Sequence, residues 1–243
     1  MNRLPLRKRA KILGMLVEGM SMRGITRLTG VSINTVSKLL RDAGEAAVAY
    51  HDENVRGIRG ERTIQCDETW SFVYAKAANV AEAKAAPDGA GDAWTWVALD
   101  AESKLIVSYL LSGARDDFSA VLFMRDLASR LEKPPILATD ALASYRIGIK
   151  WAFGHRAGHI PSKGGTSYVE RQNLTMRMGM RRFARCTNGF SKRFEYHLCL
   201  IALHSLYYNF CRIHSTVRCS PAMAAGIDDH LHDLEWIVGL LPN

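Results

Sequence analysis

The sequence predicts an α/β protein in which a mixed β-sheet flanked by helices follows a small all-α module. The 243-residue chain is 48% hydrophobic and 23% charged, which suffices for one large or two smaller domains and excludes a largely disordered chain. Strand-like segments between residues 63 and 111 precede an amphipathic helix and a further short apolar segment, the order expected of an α/β sheet. Residues 6–43, by contrast, have only helical periodicity.

Neither a membrane span nor a cleaved leader is predicted. The longest uninterrupted apolar run near the C-terminus, residues 198–203, is far shorter than the roughly 20 residues that a spanning helix needs. Basic residues at 7–9 precede an apolar stretch, but Glu18 interrupts it and no small-residue cleavage site follows. We therefore expect a cytoplasmic protein. The five cysteines include no CxxC pair, which argues against a disulfide framework or a zinc ribbon.

Charge is distributed unevenly along the chain. Net charge is +8 over residues 1–41, −7 over 42–141, +11 over 142–219 and −4 over 220–243. Two basic blocks around an acidic one predict two surfaces that meet a polyanion, with an acidic pocket between them that could hold cations. Ordinary solvated charge is the alternative. It is the weaker one for the second basic block, where only Glu170 and Glu195 oppose thirteen basic residues.

The first basic block predicts three short helices. The second of these helices, residues 22–29, directs Ile25 and Leu28 inward. Gly30 supplies a turn and Ser32 a cap for the third helix, residues 33–43. Two short helices joined by a glycine turn resemble the helix-turn-helix motif, whose second helix lies in the DNA major groove; a plain three-helix bundle is the alternative. The polar face of the third helix offers candidate base contacts in Asn34, Thr35 and Lys38 and a phosphate contact in Arg41.

Three carboxylates occupy informative positions in the acidic centre and beyond it. Asp67 interrupts a predicted strand over residues 63–73, and Asp140 follows a short buried strand at 136–138 that we expect to be parallel to the first. Glu170 belongs to the first turn of a helix that Ser167 can cap, and Asn173 and Arg177 share its helical face.

Two strand-borne aspartates and one helix-borne glutamate can hold two Mg²⁺ or Mn²⁺ ions about 3.5–4 Å apart, an arrangement used in phosphodiester chemistry. Each acid alone has a structural alternative: a strand end for Asp67, a helix cap for Asp140 and the helix dipole for Glu170. The three together beside a basic surface favour the metal site.

Several local patterns resemble the DDE transposases of bacterial insertion sequences, and among them the IS-one type. They are Asp67-Glu68-Thr69-Trp70, the segment 94–100, Thr139-Asp140, Val169-Glu170-Arg171-Gln172-Asn173 followed by Arg177, and Tyr208-Asn209 with Arg212 and His214. The resemblance covers about residues 5–225. One departure is that no cysteine precedes Cys66, whereas members of this type often carry a cysteine-rich zinc element ahead of the helix-turn-helix. Either the helix-turn-helix alone recognises the terminal repeats, or the chain is truncated or divergent.

The resemblance implies a ribonuclease H-like core with Asp67, Asp140 and Glu170 as the catalytic, metal-binding triad and two Mg²⁺ or Mn²⁺ ions per active site. It implies hydrolysis of a phosphodiester at the transposon end, followed by attack of the freed 3′ hydroxyl on target DNA. The expected partner is double-stranded DNA, bound by a homodimer or larger assembly at the bacterial nucleoid. The candidate DNA contacts in the second basic block are Lys163, Arg171, Asn173, Arg177, Arg181 and Arg182, with Arg185, Lys192 and Arg193 as further phosphate contacts.

The expected domain order is a helix-turn-helix module at 1–43, a linker at 44–61, a catalytic core at 62–225 and a tail at 226–243. Two other functions stay open. A DNA-binding regulator or catalytically inactive relative would keep the fold without cleavage, and a junction-resolving or repair nuclease would keep the metals and stop at hydrolysis.

Overall fold

The computed structural model describes residues 4–161, 164–183 and 189–242. Its strands are β1 (Thr63–Val73), β2 (Gly91–Asp100), β3 (Ile106–Ser112), β4 (Ile136–Thr139) and β5 (Gly158–Pro161). Its α-helices are α1 (Leu6–Val17), α2 (Met22–Thr29), α3 (Ile33–Asn54), α4 (Asp117–Arg130), α5 (Ala143–Phe153), α6 (Ser167–Gly179), α7 (Phe194–Leu206), α8 (Pro221–Ala224) and α9 (Leu234–Gly239). A π-helical turn, Tyr207–Cys211, continues α7. No described helix combines the length and hydrophobicity needed to span a bilayer.

The five strands form one mixed sheet in the order β3-β2-β1-β4-β5. β1, β2 and β3 pair antiparallel, whereas β4 is parallel to β1 and β5 is parallel to β4. The predicted hairpin and the predicted parallel strand before Asp140 are therefore confirmed. A helix does follow Asp140, as its alternative role of helix cap assumes, but α5 begins at Ala143 after Leu142, and the mostly exposed strand β5 was not predicted from the sequence.

The N-terminal helices have the predicted turn chemistry. Ser21 and Ser32 cap α2 and α3 by accepting from the backbone N–H groups of Gly24 and Thr35, and Gly30 ends α2 in the left-handed conformation. Ile25 is buried as expected. The inward orientation predicted for Leu28 is wrong: the residue is 67% exposed, and Ile25 is the buried residue of this eight-residue helix.

Helix α3 does not end at residue 43 but continues to Asn54, through most of the predicted linker. Its second half packs against α7, and Gly44 and Ala47 are buried there. A Cβ atom on Gly44 would lie only 2.3 Å from the Cβ of Cys199, so the two helices touch at backbone distance. The periodicity fades in the sequence because small residues, rather than large apolar ones, form this contact.

The C-terminal segment joins the N-terminal helices to the sheet. Asn209, in the π-helical turn, accepts from the backbone N–H of Ile106 and donates to its carbonyl, both at 2.9 Å, and so pairs with edge strand β3. In the predicted tail, α9 packs against α1 and α3 and buries Ile237 and Val238. The four described cysteines are all unpaired, in line with the absence of a predicted disulfide framework.

Candidate active site

Asp67 and Asp140 are neighbours because adjacent parallel strands carry them. Cys66 of β1 pairs with Thr139, the last residue of β4. Asp67 and Asp140, which follow these two residues, therefore lie at the same level of the sheet. Carboxylate oxygens of Asp67, Glu68 and Asp140 lie within 4.8 Å of one another. Asp140 also accepts from the backbone N–H of Leu142 at 3.0 Å, which fixes the turn into α5.

Glu170 lies in the first turn of α6, which β1 holds in place. The side-chain oxygen of Gln65 accepts from the backbone N–H groups of Tyr168 and Val169, at 2.8 and 3.1 Å, and so satisfies two free donors at the start of this helix. Ser167 is the first helical residue and not the predicted cap; Thr166 holds that position and donates instead to a Glu170 oxygen at 2.7 Å. Glu170 is exposed.

A second contact joins α6 to β1 at the aspartate itself. Asn173 donates to Asp67 Oδ2 at 2.8 Å, and its side chain is buried, with the residue only 2% exposed. Burial raises the pKa of Asp67, the Asn173 hydrogen bond opposes this shift, and the negative charges of Asp140 and Glu170 add to it. The three acids therefore share one electrostatic environment. Asn173, which the sequence suggests as a DNA contact, is oriented towards Asp67 instead.

Glu68 and Arg115 complete the cluster. Arg115 follows β3, and its Nη2 donates to Glu68 Oε2 at 3.1 Å and to Asp140 Oδ2 at 3.0 Å. Burial raises the pKa of Glu68 to about 7 although Arg115 opposes the shift. Sequence reasoning missed Arg115, since an arginine next to Asp116 and Asp117 is typical of a solvated turn. It also missed Gln65, because nothing local in the sequence links a strand glutamine to a helix about 100 residues later.

The donor set suits a hard divalent cation. Carboxylate oxygens, without any cysteine or histidine, are the ligands that Mg²⁺ and Mn²⁺ prefer. Asp67 and Asp140 come from neighbouring strands and form the close carboxylate group with Glu68, whereas Glu170 lies outside that group, on the helix that Gln65 bonds to β1. The residues present fit a divalent-metal site.

The predicted polar face of α3 is exposed. Asn34, Thr35, Lys38 and Arg41 are all accessible to solvent. Three of them already have partners within the helix: Thr35 bonds to the Ser32 hydroxyl, Lys38 pairs with Asp42, and Arg41 lies 3.8 Å from Glu45. Exchanging such exposed pairs for a polyanion costs little.

The candidate contacts of the second basic block differ in accessibility. Arg171, Arg177 and Arg181 are exposed. Arg182 is held inside, where its Nη1 donates to the Ser191 hydroxyl at 3.1 Å and to the Tyr196 carbonyl at 2.5 Å, and burial lowers its pKa to about 10. Lys163 and Arg185 lie outside the described residues.

A groove of about 910 Å³ separates α2 and the start of α3 from a second wall formed by residues 181–182, 189–193 and 196. Its lining includes five basic residues, Arg23, Arg181, Arg182, Lys192 and Arg193, together with Asn34 and Ser37 of α3. The second wall is anchored to the sheet, since the Ser191 hydroxyl bonds to His197 and the other ring nitrogen of His197 bonds to Ser71 of β1. The groove, which we call the basic groove, therefore has a fixed wall.

Comparisons with known proteins agree with this geometry. The model of the IS1 transposase family matches residues 63–210, which include Asp67, Asp140 and Glu170. The insertion element iso-IS1n protein InsB of Shigella dysenteriae is 30% identical over 135 residues, which are 55% of this chain and 86% of that protein.

Among solved structures, a chain of the simian T-cell lymphotropic virus intasome in complex with PP2A regulatory subunit B56 gamma is similar, with a TM-score of 0.51 and 14% identity. The match covers 89% of this chain and 74% of that one. A chain of the Mos1 mariner paired end complex with Mn matches with a TM-score of 0.34 and 13% identity, over 85% of this chain and 78% of that one. The mixed sheet and its flanking helices have the expected ribonuclease H-like fold. On the family match and the relative together, the chain belongs to the IS1 transposase family.

Proposed function

We propose that this protein is an active DNA transposase in which Asp67, Asp140 and Glu170 form the metal-binding catalytic triad. The observation that carries the proposal is the pairing of Asp67 with Asp140 at the ends of adjacent strands, with α6, the helix that carries Glu170, bonded to β1 through Gln65 and to Asp67 through Asn173. Two bound Mg²⁺ or Mn²⁺ ions would activate the attacking oxygen and stabilise the leaving one in phosphodiester cleavage.

The chain's own residues keep the three acids in position. Asn173 orients Asp67, the backbone N–H of Leu142 orients Asp140, and Thr166 donates to Glu170 while Gln65 fixes the start of its helix. Neutral donors suit this task, because they fix the direction of a carboxylate and keep its negative charge available. Glu68 has a structural role in this proposal, since its carboxylate is buried against Arg115.

We further propose that the exposed face of α3 contacts bases at the ends of the element and that the basic groove holds the DNA backbone. The groove has Asn34 and Ser37 of α3 on one side and Arg181, Lys192 and Arg193 on the other. One DNA strand in the groove can therefore contact both sides. Arg171 and Arg177 extend the basic surface along α6 from Glu170. Joining two ends requires at least two active sites, so we expect a homodimer or larger assembly acting at the nucleoid.

Cleavage and strand transfer on labelled duplexes test this function. The DNA that flanks the coding sequence is the substrate, with Mg²⁺ or Mn²⁺ against EDTA. We expect metal-dependent nicking and joined products from the natural chain, and loss of both in Asp140→Asn. The matched control is Asp116→Asn, an exposed aspartate that only caps α4 and should keep its activity. Binding without cleavage in the natural chain would indicate a regulator or an inactive relative, and nicking without joining would indicate a nuclease.

A further inference from the structure

Arg115 is a cation at the centre of an acidic cluster. It lies in the turn between β3 and α4, and its guanidinium contacts Asp140, a proposed metal ligand, and Glu68, the neighbour of Asp67. The other described candidates for DNA contact with a positive charge lie on the outer face of α3, on α6 or around the basic groove. Arg115 therefore differs from them in location and in surroundings.

Three groups fix the guanidinium. Nη2 donates to both carboxylates, and the group also lies over the ring of Trp94, with 5.2 Å between the guanidinium carbon and the ring centroid. Trp94 belongs to β2, Glu68 to β1, and Asp140 follows β4, so three neighbouring strands position one side chain. A group held in this way loses little conformational freedom when it binds a ligand.

Most of the donor capacity of Arg115 stays available. Both hydrogen bonds come from Nη2, and within the described part of the chain Nε and Nη1 have no acceptor. The side chain is 33% exposed, the same fraction as that of Asp140, so it reaches solvent where the acids do. If Arg115 served only to neutralise Glu68, it would not need its second hydrogen bond, to the half-exposed Asp140. A planar group with free N–H donors instead matches the oxygens of a phosphate.

We propose that Arg115 is the phosphate anchor of the active site, donating from Nε and Nη1 to the non-bridging oxygens of a DNA phosphodiester. This inference rests on the proposed function and adds a substrate contact to it. The guanidinium holds the phosphate beside Asp140 and offsets the repulsion between a phosphate and the surrounding acids. Arg115 then serves binding as well as the orientation of Asp140.

The experiment measures binding without catalysis. Duplexes of the flanking DNA carry a single neutral methylphosphonate at successive positions, and fluorescence anisotropy in EDTA gives the Kd for each. For the natural chain we expect one position at the cleaved bond to weaken binding about tenfold, as for the loss of one charge-assisted contact. In Arg115→Gln a methylphosphonate at that position should not weaken binding further, because the arginine that contacts this phosphate is already absent.

Arg125→Gln is the matched control. Arg125 also lies over a tryptophan ring, that of Trp151, but on the outer face of α4, so this variant should keep the profile of the natural chain. Arg115→Lys keeps the positive charge beside buried Glu68, so it should keep part of the position-specific loss of affinity. If Arg115→Gln does not fold, Arg115→Lys is measured in its place.

The outcomes separate the two claims. A profile for Arg115→Gln or Arg115→Lys that runs parallel to that of the natural chain would overturn the anchor and leave the transposase proposal intact. A uniform loss of affinity at every position would do the same, since it would indicate a purely structural role. Absence of DNA binding by the natural chain would overturn the proposed function, and the anchor with it.

Discussion

Single neutral residues do much of the positioning at this site. Gln65 and Asn173 are both buried amides that join β1 to α6, one through backbone N–H groups and the other through Asp67. Without these hydrogen bonds, packing alone would fix the position of Glu170 relative to Asp67. At the residue scale the site is therefore sensitive to changes that remove no charge.

Replacing Asn173 by alanine should weaken the metal site while leaving its acids in place. Loss of the 2.8 Å hydrogen bond frees the Asp67 carboxylate and raises its pKa further, because that bond opposes the effect of burial. We expect a loss of about 10–100-fold in Mn²⁺ affinity, the usual cost of removing a residue that orients a ligand. Isothermal titration measures it.

Leu174→Ala is the control for Asn173→Ala, since Leu174 is the next residue on the same helix and is exposed. Its Mn²⁺ affinity should equal that of the natural chain. Equal losses in the two variants would mean that the effect comes from α6 as a whole and not from the Asp67 contact.

His204 should make stability depend on pH. Both of its ring nitrogens are buried and have no hydrogen-bond partner among the described residues, and burial lowers its pKa from 6.5 to about 4. Below pH 6.5 the unfolded chain binds a proton that the folded chain excludes down to about pH 4, so stability is lost as pH falls through this window. At pH 5 the loss is about 2 kcal/mol for this residue.

Urea unfolding of the natural chain and of His204→Phe, at about pH 7.5 and about pH 5, measures that contribution. The variant should lose about 2 kcal/mol less between the two conditions. His230→Phe, at an exposed histidine, should lose as much as the natural chain. The same loss in His204→Phe as in the natural chain would contradict the assignment.

The positions of the three acids were predictable, because each stands where its local pattern is unusual: an aspartate within a strand, an aspartate after one, and a glutamate in the first turn of a helix; their role as a triad stays a proposal. The residues that support them were not predictable. Gln65, Arg115 and the true role of Asn173 depend on which strand lies beside which helix, and a single sequence carries no signal for such pairing.

At the scale of elements, α3 connects the proposed DNA-reading face to the sheet. Its first turns present the polar face predicted to read DNA, and its last turns pack on α7 and bond to the sheet through His51, whose ring lies 3.3 Å from the carbonyl oxygen of Ile106. A continuous 22-residue helix transmits orientation better than a flexible linker would. The predicted boundary at residue 43 therefore falls inside a packed helix, and the division into separate domains stays a prediction.

Gly44→Ala should destabilise the protein although alanine favours helices. Its new Cβ would lie 2.3 Å from the Cβ and 2.5 Å from the Cα of Cys199, so α3 and α7 must separate. Overpacking of this kind costs about 1–3 kcal/mol, more than the roughly 1 kcal/mol gained in helix propensity. Chemical denaturation measures the free energy of unfolding.

Gly239→Ala is the comparison for Gly44→Ala, because no atom lies within 4 Å of the position where its Cβ would be. It should leave the free energy of unfolding unchanged or slightly raised. A stabilised Gly44→Ala would mean that the two helices are not in contact in solution.

Strand and helix predictions succeeded where periodicity was strong, as in β1 to β4 and α4. They failed where an element is mostly exposed or is held only by non-local contacts. Strand β5 has four residues, mostly exposed, and exists because β4 supplies its partner. The sequence predicts a separate tail at 226–243 because it carries no signal for the packing of α9 on α1.

For the whole molecule, basic residues from both basic blocks line the basic groove, which lies between helices α2 and α3 and the wall that His197 bonds to the sheet. The first block provides Arg23 and the second provides Arg181, Arg182, Lys192 and Arg193. The alternation of charge along the sequence thus predicted two basic surfaces, and the fold brings parts of both to one groove. The sequence could not show that they face each other.

Removing charge from the groove should change the salt dependence of DNA binding. For the Lys192→Gln/Arg193→Gln double variant we expect the slope of log K against log salt to fall by about 1 for each lost phosphate contact. Arg59→Gln/Arg125→Gln removes the same charge from exposed residues outside the groove and should keep the slope of the natural chain. Equal slopes in the two double variants would place the DNA elsewhere.

The central claim is that Glu170, with Asp67 and Asp140, completes the catalytic site. Strand transfer by Glu170→Gln and Glu68→Gln tests it most directly, because both variants replace a glutamate near Asp67 by its neutral isostere. We predict that Glu170→Gln loses detectable product in Mg²⁺ and Mn²⁺, while Glu68→Gln, which resembles the protonated form that burial favours, keeps activity. Full activity in Glu170→Gln together with loss in Glu68→Gln would contradict the account and make Glu68 the third acid.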